Sequence, residues 1–335
     1  MSYNRPWKSY NDQLTLLKER GLIVTEDATA FNYLERIGYY RLSGYLYSFR
    51  ELSEQCCSLP PKGSTNKKPY KKVTKLTLES FRQGSTFDQA VRLYIFDKKL
   101  RLLVLDALER IEIALRVDVA YLLGEYDHFA YLRSDLFFDD FSKKIDNTKG
   151  VTNHHIWLGK HATLINRSKE EFINYNKKKY GLPLPIWITC EVWDFGTLST
   201  LFGGMKEVDQ DRIALKYGVS NGRVFATWLR SLNYLRNVCA HHSRLWNRNI
   251  VDQPKLPNSN ELMWTKGFEG DAHAKARPFL LYCIAKHILD RINPTSSWWA
   301  RLGKLIEEDF PHDIEALNLS IKGMGAIEGW EKLFP

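Results

Sequence analysis

The chain has 335 residues, 44% hydrophobic and 26% charged, with 48 Lys plus Arg against 39 Asp plus Glu. That length suits one large or about two ordinary domains, the composition excludes a disordered chain, and the net charge of +9 favours a polyanionic partner. No apolar run approaches the ~20 residues of a membrane span, and residues 1–7 lack the apolar region of a secretory leader. A cytoplasmic protein without a membrane partner is therefore expected. The five cysteines, Cys56, Cys57, Cys190, Cys239 and Cys283, are an odd, scattered set without a C-x2-C pair. Neither a disulfide framework nor a zinc site is expected from them.

In chain order, residues 9–50 read as short helices. One stops at Gly21, and the next carries Ala28, Phe31, Leu34 and Ile37 at helical spacing up to Gly38. Tyr39, Tyr40 and Tyr45 then surround Arg41, either as a packing corner or as rings for stacking on bases. Residues 55–75 read as a loop, with Pro60, Pro61 and Gly63 breaking the pattern. Lys67, Lys68, Lys71 and Lys72 make it basic, which suits solvation or contact with phosphate. The longest helical signal spans 86–123, with Ser85 or Thr86 as N-cap and Val91, Ile95, Leu102, Leu105, Leu108, Ile111, Leu115 and Val119 on the 3.6 period. Its charges, Arg101, Glu109, Arg110, Glu112, Arg116 and Asp118, read as a solvated face or as intrahelical pairs. Residues 127–150 look irregular. A helix over 162–180 ends in three lysines, and 186–193 is ambiguous between strand and helix, with the context favouring helix. Further helices are expected over 198–205, 209–217, 222–246 and 277–292. The fold class expected is all-α. No glycine-rich phosphate loop and no nucleophile elbow is present, so nucleotide-binding and serine-hydrolase classes have no support.

The stretch from 225 to 248, FATWLRSLNYLRNVCAHHSRLWNR, carries the chemistry. At about 100° per residue, Asn233, Arg244, Asn237, Arg248, Arg230 and His241 fall beside Arg236 on one side of a helix. Leu245, Val238, His242, Leu235, Trp228, Cys239 and Leu232 form an apolar arc on the other, which makes His242 a core residue. The polar side holds arginines, asparagines and a histidine with no carboxylate. Arginine binds phosphate bidentately and histidine moves protons near neutral pH, so such a face suits a phosphodiester.

Arg236-Asn237-Val238-Cys239-Ala240-His241 matches the R-x4-H signature of the HEPN ribonucleases. R-x4-H alone is weak; its context is stronger. The run from Arg36 to Tyr45, then Phe96-Asp97 with 105–116, then Phe195-Gly196-Thr197-Leu198-Ser199, and last 229–248 occur in that order. Together they resemble the Abi-D/Abi-F family of bacterial abortive-infection proteins over about residues 8–293. The resemblance implies an all-α HEPN-like bundle over 85–295, preceded by a helical region over 1–84 and followed by a helical tail over 296–335. It also implies a metal-independent endoribonuclease with no cofactor, whose substrate is single-stranded RNA. Two HEPN units build one site, and some relatives are restrained by a cognate structured small RNA.

Cleavage by a neighbouring 2′-hydroxyl needs a base, an acid and positive charge at phosphorus. Residues 110–116 offer no histidine at the required offset, so one chain holds one motif and a homodimer would supply two. His241 is then the acid/base, Arg236 the transition-state stabiliser, and Asn237 the residue orienting either. Arg230, Asn233, Arg244, Arg248, Tyr40, Arg41, Lys67, Lys68, Lys71 and Lys72 are the candidate RNA-binding residues. The alternative reading is a non-catalytic scaffold that binds a structured small RNA through the same residues. His154, His155 and His161 match no metal spacing and read as surface or interface residues, and His287 reads as core.

Overall fold

The computed structural model describes residues 6–58 and 73–334. Two compact units emerge, each discontinuous in sequence: residues 1–99 with 304–321, and residues 100–303 with 322–335. The described residues are helical apart from one antiparallel strand pair, an all-α fold class as the periodicity predicts. No helix among the described residues is long and apolar enough to cross a membrane.

In the first unit, α1 (Tyr10–Glu19), α2 (Asp27–Ile37) and α3 (Tyr39–Leu46) lead into the antiparallel pair β1 (Arg50–Ser58) and β2 (Val73–Phe81). The pair replaces the ends of the expected loop, with Arg50 opposite Phe81 and Leu52 opposite Thr77. Lys67, Lys68, Lys71 and Lys72 lie outside the described residues. The unit takes in the start of α4 (Phe87–Tyr126), which Thr86 caps as expected. The Thr86 hydroxyl accepts from the Gln89 amide at 3.1 Å, and the Gln89 side chain accepts from the Thr86 amide at 3.0 Å, a reciprocal cap. Leu34, Leu42, Phe49, Leu93 and Phe96 form its core. Tyr45 is buried there, its hydroxyl donating to Asp97 at 2.6 Å, while Tyr40 is 75% exposed. The returning segment 304–321 completes this core: Phe310 packs edge-on to Phe96, and Asp313 accepts from both Arg92 and Gln89.

The second unit continues α4 and adds α5 (Asp139–Ser142), α6 (Asn153–Arg167), α7 (Glu171–Tyr180), α8 (Ile186–Thr189), α9 (Phe195–Gly204), α10 (Glu207–Lys216) and α11 (Gly222–Ala240). After a long irregular stretch come α12 (Ala272–Lys275), α13 (Pro278–Ile292) and the first half of α14 (Trp298–Asp309). The helix expected over 162–180 is two helices: α6 ends at Arg167, and Ser168-Lys169-Glu170 reverses the chain before α7. Every residue of α13 from Pro278 to Leu289 is buried, so it is the central helix. His287 is in this core, with Nε2 donating to the Tyr217 carbonyl at 2.8 Å. Helix α11 packs on α9, α10 and α13. Its first residue sets how closely it approaches α10: a Cβ on Gly222 would stand 2.4 Å from the Gln210 Cβ.

His154 and His161 correct the surface reading, because both are buried. His154 Nε2 donates to the Tyr131 carbonyl at 2.7 Å. His161 stacks on Trp157, and its Nδ1 accepts from the Trp193 indole N–H at 3.0 Å. Protonation at Nδ1 would oppose two donors, and burial lowers the His161 pKa to about 4. The neutral imidazole is thus the folded form. Its contribution is full above the ordinary histidine range and is lost as pH falls from about 6.5 toward about 4. Unfolding free energy should therefore drop across that window, with up to about 3 kcal/mol from this residue. Denaturant titrations of the wild type and His161→Gln at several pH values test this, and the variant should show the shallower slope.

Candidate active site

Helix α11 buries Phe225, Trp228, Leu229, Leu232, Leu235, Val238 and Cys239 and turns its other edge outward. Asn221 caps its start, accepting from the Val224 amide at 3.0 Å. Its end is the first departure from the expected geometry. The helix stops at Ala240, six residues before the expected end at Trp246. His242 takes φ 55°, the left-handed region. Its amide donates to the Cys239 carbonyl at 3.1 Å, and the Ser243 amide donates to the Val238 carbonyl at 3.0 Å. This is a Schellman ending built on a histidine instead of a glycine. Arg101 of α4, itself buried, reaches the Ser243 carbonyl at 3.4 Å and braces the turn.

His241 is the C-cap residue, its amide bonded to the Asn237 carbonyl at 3.0 Å. Both side chains are exposed, and Arg236 beside them is half-buried. The helix thus presents Arg236 and Asn237 side by side, with His241 one turn after Asn237. Arg230 is exposed earlier on the helix, and Asn233 lies half-buried between them. The wheel fails beyond residue 241. Arg244 and Arg248 sit in the segment after the turn and are not part of the helical face. Arg248 instead donates to the Tyr234 hydroxyl at 2.9 Å and lies 5.9 Å from the centre of its ring. His242 is exposed and not core.

Arg236 lines a cavity of about 570 Å³ together with Leu102, Leu105, Asp106, Glu109, Glu112, Ile113 and Arg116 of α4. The polar side of α11 lacks carboxylates, as its sequence shows, but α4 supplies three to the same cavity. Glu112 accepts from Arg116 at 3.0 Å, an i,i+4 pair of the expected kind. Burial pushes the Glu112 carboxyl above its ordinary range, against the pull of Arg116 and Arg236. Arg116 also donates to the Trp193 carbonyl at 3.0 Å and lies 3.6 Å from Glu191.

The start of α9 lies close by, where the Asp194 carboxylate acts on Glu112 to raise it further. Asp194 caps α9, accepting from the Thr197 amide at 2.7 Å and from Lys160 at 2.8 Å. Burial raises the Asp194 pKa, but Lys160 and Thr197 outweigh it and hold the carboxylate ionised. A Cβ on Gly196 would lie 3.3 Å from the Asn233 amide and 3.4 Å from Asp194 Oδ1, so the Phe-Gly-Thr segment lets α9 approach α11 at Asn233. Glu112, Arg116, Asp194 and Arg101 are the residues that sequence reasoning missed as site residues. The one signal for the three on α4 was the unusual density of charge on a helix with an apolar period. Tyr40 and Arg41 are exposed on α3 and belong to the other unit. Among the described residues, no group of three or more His, Cys, Asp and Glu could hold a metal ion.

An all-helical chain with an Arg–Asn–His edge beside an acid-lined cavity defines a class of helical proteins with a polar, solvent-open site at one helix end. A family model described as Abi-like protein matches residues 32–247, well over half of the chain and all of the helical edge up to Asn247. The chain therefore belongs to the Abi-like family of abortive-infection proteins. No curated protein and no solved structure matches it.

The ending of α11 gives a direct test. A β-branched residue is strongly disfavoured at a positive φ, so His242→Val should cost about 1–2 kcal/mol. His242→Gly, which fits that conformation, should cost less than half as much. Equilibrium unfolding in urea of the two variants and the wild type measures the difference.

Proposed function

We propose that this protein is a metal-independent endoribonuclease acting in abortive infection and phage defence, with single-stranded RNA as its substrate. The observation that supports the reading best is the exposed edge of α11, where Arg236, Asn237 and His241 follow one another beside an open cavity. The chemistry requires no more than these residue types. An imidazole takes the proton of a ribose 2′-hydroxyl, the 2′-oxygen bonds to phosphorus, and the bond from phosphorus to the 5′-oxygen breaks. A second imidazole protonates that leaving oxygen. The products are a 2′,3′-cyclic phosphate and a free 5′-hydroxyl.

Arg236 supplies charge to the crowded phosphoryl oxygens, and Asn237, one turn before His241, orients the imidazole or a non-bridging oxygen. Each chain provides one such edge, so two chains supply both imidazoles. Glu112 and Arg116 hold Arg236 in place as positioning residues. Arg230, Asn233, Arg244 and Arg248 are secondary candidates for holding the RNA strand, and a cognate structured RNA is the expected restraint on a toxic nuclease.

A second reading, an RNA scaffold without catalysis, draws support from the three carboxylates, Asp106, Glu109 and Glu112, that line the cavity with Arg236 and offset its charge. The two separate on one experiment, incubation of a mixed single-stranded RNA pool with the full chain in EDTA. The nuclease should leave 2′,3′-cyclic ends, and His241→Ala should lower the rate by about 100-fold or more while RNA affinity stays nearly constant. Mixing His241→Ala with wild type should depress activity beyond simple dilution. RNA binding without cleavage, by a protein that is also harmless on expression, would favour the scaffold.

A further inference from the structure

A cavity at the Tyr39–Tyr40 corner takes no part in the site on α11. It measures about 620 Å³, within the roughly 300–1,000 Å³ of small-ligand sites. Its lining comes wholly from the first unit. Two of the rings that line it lie in solvent: Trp7 is 86% exposed and Tyr40 is 75% exposed. Tyr39 stands edge-on to Tyr40, with centroids 6.1 Å apart. A charged pair supplies the polar part of the lining. Arg20, at the C-cap of α1, donates to the Glu79 carboxylate of β2 at 2.5 Å and reaches the Tyr39 hydroxyl of α3 at 3.4 Å. Three elements thus fix the pair before any ligand arrives. Gln13 lines the same cavity. Its Nε2 donates to the Lys8 carbonyl at 2.9 Å, and its Oε1 is buried with no hydrogen-bond partner, a costly state for an amide oxygen.

We propose that this cavity binds one unpaired guanine base, with Trp7 and Tyr40 as its stacking surfaces. The charged pair selects the base. Along its Watson–Crick edge guanine offers an acceptor, O6, and then two N–H donors, N1 and N2. Arg20 and Glu79 offer the complement in the same order, a guanidinium N–H and then two carboxylate oxygens. Each carboxylate oxygen has a second lone pair, so Glu79 keeps Arg20 while it accepts from the base. Cytosine presents the opposite order, one donor followed by two acceptors. Adenine and uracil each present a single donor group there and leave one carboxylate oxygen unmatched. The N2 amino group carries a further hydrogen, the kind of donor that the buried Gln13 oxygen lacks. Lys8 at the cavity, and Arg41, exposed next to Tyr40, suit the phosphates on either side of the base.

The same chemistry recognises a guanosine within an RNA strand and a free guanine nucleotide, and the test separates the two. A proline-rich peptide also covers aromatic grooves, but proline has no N–H to offer Glu79. The guanine site does not rest on the nuclease reading, because its residues lie in the first unit and α11 in the second.

The test is fluorescence anisotropy of the full chain with labelled 2′-O-methyl RNA pentamers, which attack by a 2′-hydroxyl cannot cut. A pentamer with a central guanosine between adenosines should bind about 10-fold or more tighter than the all-adenosine pentamer. Inosine at the centre, which lacks the N2 amine, should lose most of that preference. Glu79→Gln should remove the preference while the all-adenosine affinity stays constant. Its melting temperature should stay near wild type, since the side chain is 65% exposed. Trp7→Ala should weaken binding of the guanosine pentamer by about 10-fold, and Trp7→Phe should restore most of it. Competition with 5′-GMP names the source. Displacement at concentrations like those of the pentamer assigns a free nucleotide, displacement only in large excess assigns a strand, and either upholds the guanine site. No preference for guanosine, a preference untouched by both Glu79→Gln and Trp7→Ala, or a proline decapeptide that binds in place of RNA and is lost with Trp7→Ala would each overturn the proposal. Cleavage is read separately on unmodified RNA. A guanine preference without cleavage upholds this site and removes the nuclease reading.

Discussion

Burial of the apolar arc of α11 is the constraint on which the second unit is arranged. Trp228, Leu232 and Leu235 have no exposed surface, and each contributes about 2 kcal/mol by leaving water. That burial fixes the rotation of the helix against α9, α10 and α13. Once the rotation is fixed, the opposite edge must face outward, and Arg236, Asn237 and His241 occupy it. The position of the polar edge therefore follows from packing, and its chemistry is free to differ.

Much of this was readable from sequence because it depends on local period. Helix α4 is legible from its apolar repeat and from Thr86, whose hydroxyl finds the Gln89 amide within one turn. The same logic gives the arc of α11 from Phe225 to Cys239. It fails where structure departs from period without a glycine or proline to signal it. His242 ends α11 in a conformation that sequence rules assign to glycine, so a wheel carried on to Arg248 continues a helix that has stopped. Ser168, Lys169 and Glu170 separate α6 from α7 with residues common inside helices. The hairpin was hidden for a different reason: its strands pair across a lysine-rich interval, and no local pattern encodes a partner.

The acids around Arg236 show a further limit. On α11 alone the polar edge is free of carboxylates, and the sequence reading was right about that helix. Glu109 and Glu112 come from α4, more than a hundred residues earlier, and only tertiary contact sets them beside an arginine. The electrostatics of the cavity belong to a pair of helices. Helix α4 thus has two aspects: a buried side in the core and an edge that steadies Arg236 through Glu112 and Arg116.

The discontinuity of the two units has a consequence for synthesis. The first unit lacks Phe310 and Asp313 until the chain has been made past residue 321. The second lacks Trp330, which packs against Phe279 and Trp299, until still later in synthesis. At the ordinary pace of about 5–20 residues per second, the arginine–histidine edge leaves the ribosome several seconds before either core can close. A nascent or prematurely terminated chain carries the motif without the packing that holds it. Residues 304–335, remote in sequence from the chemistry, thus decide when during translation the fold around the motif can form.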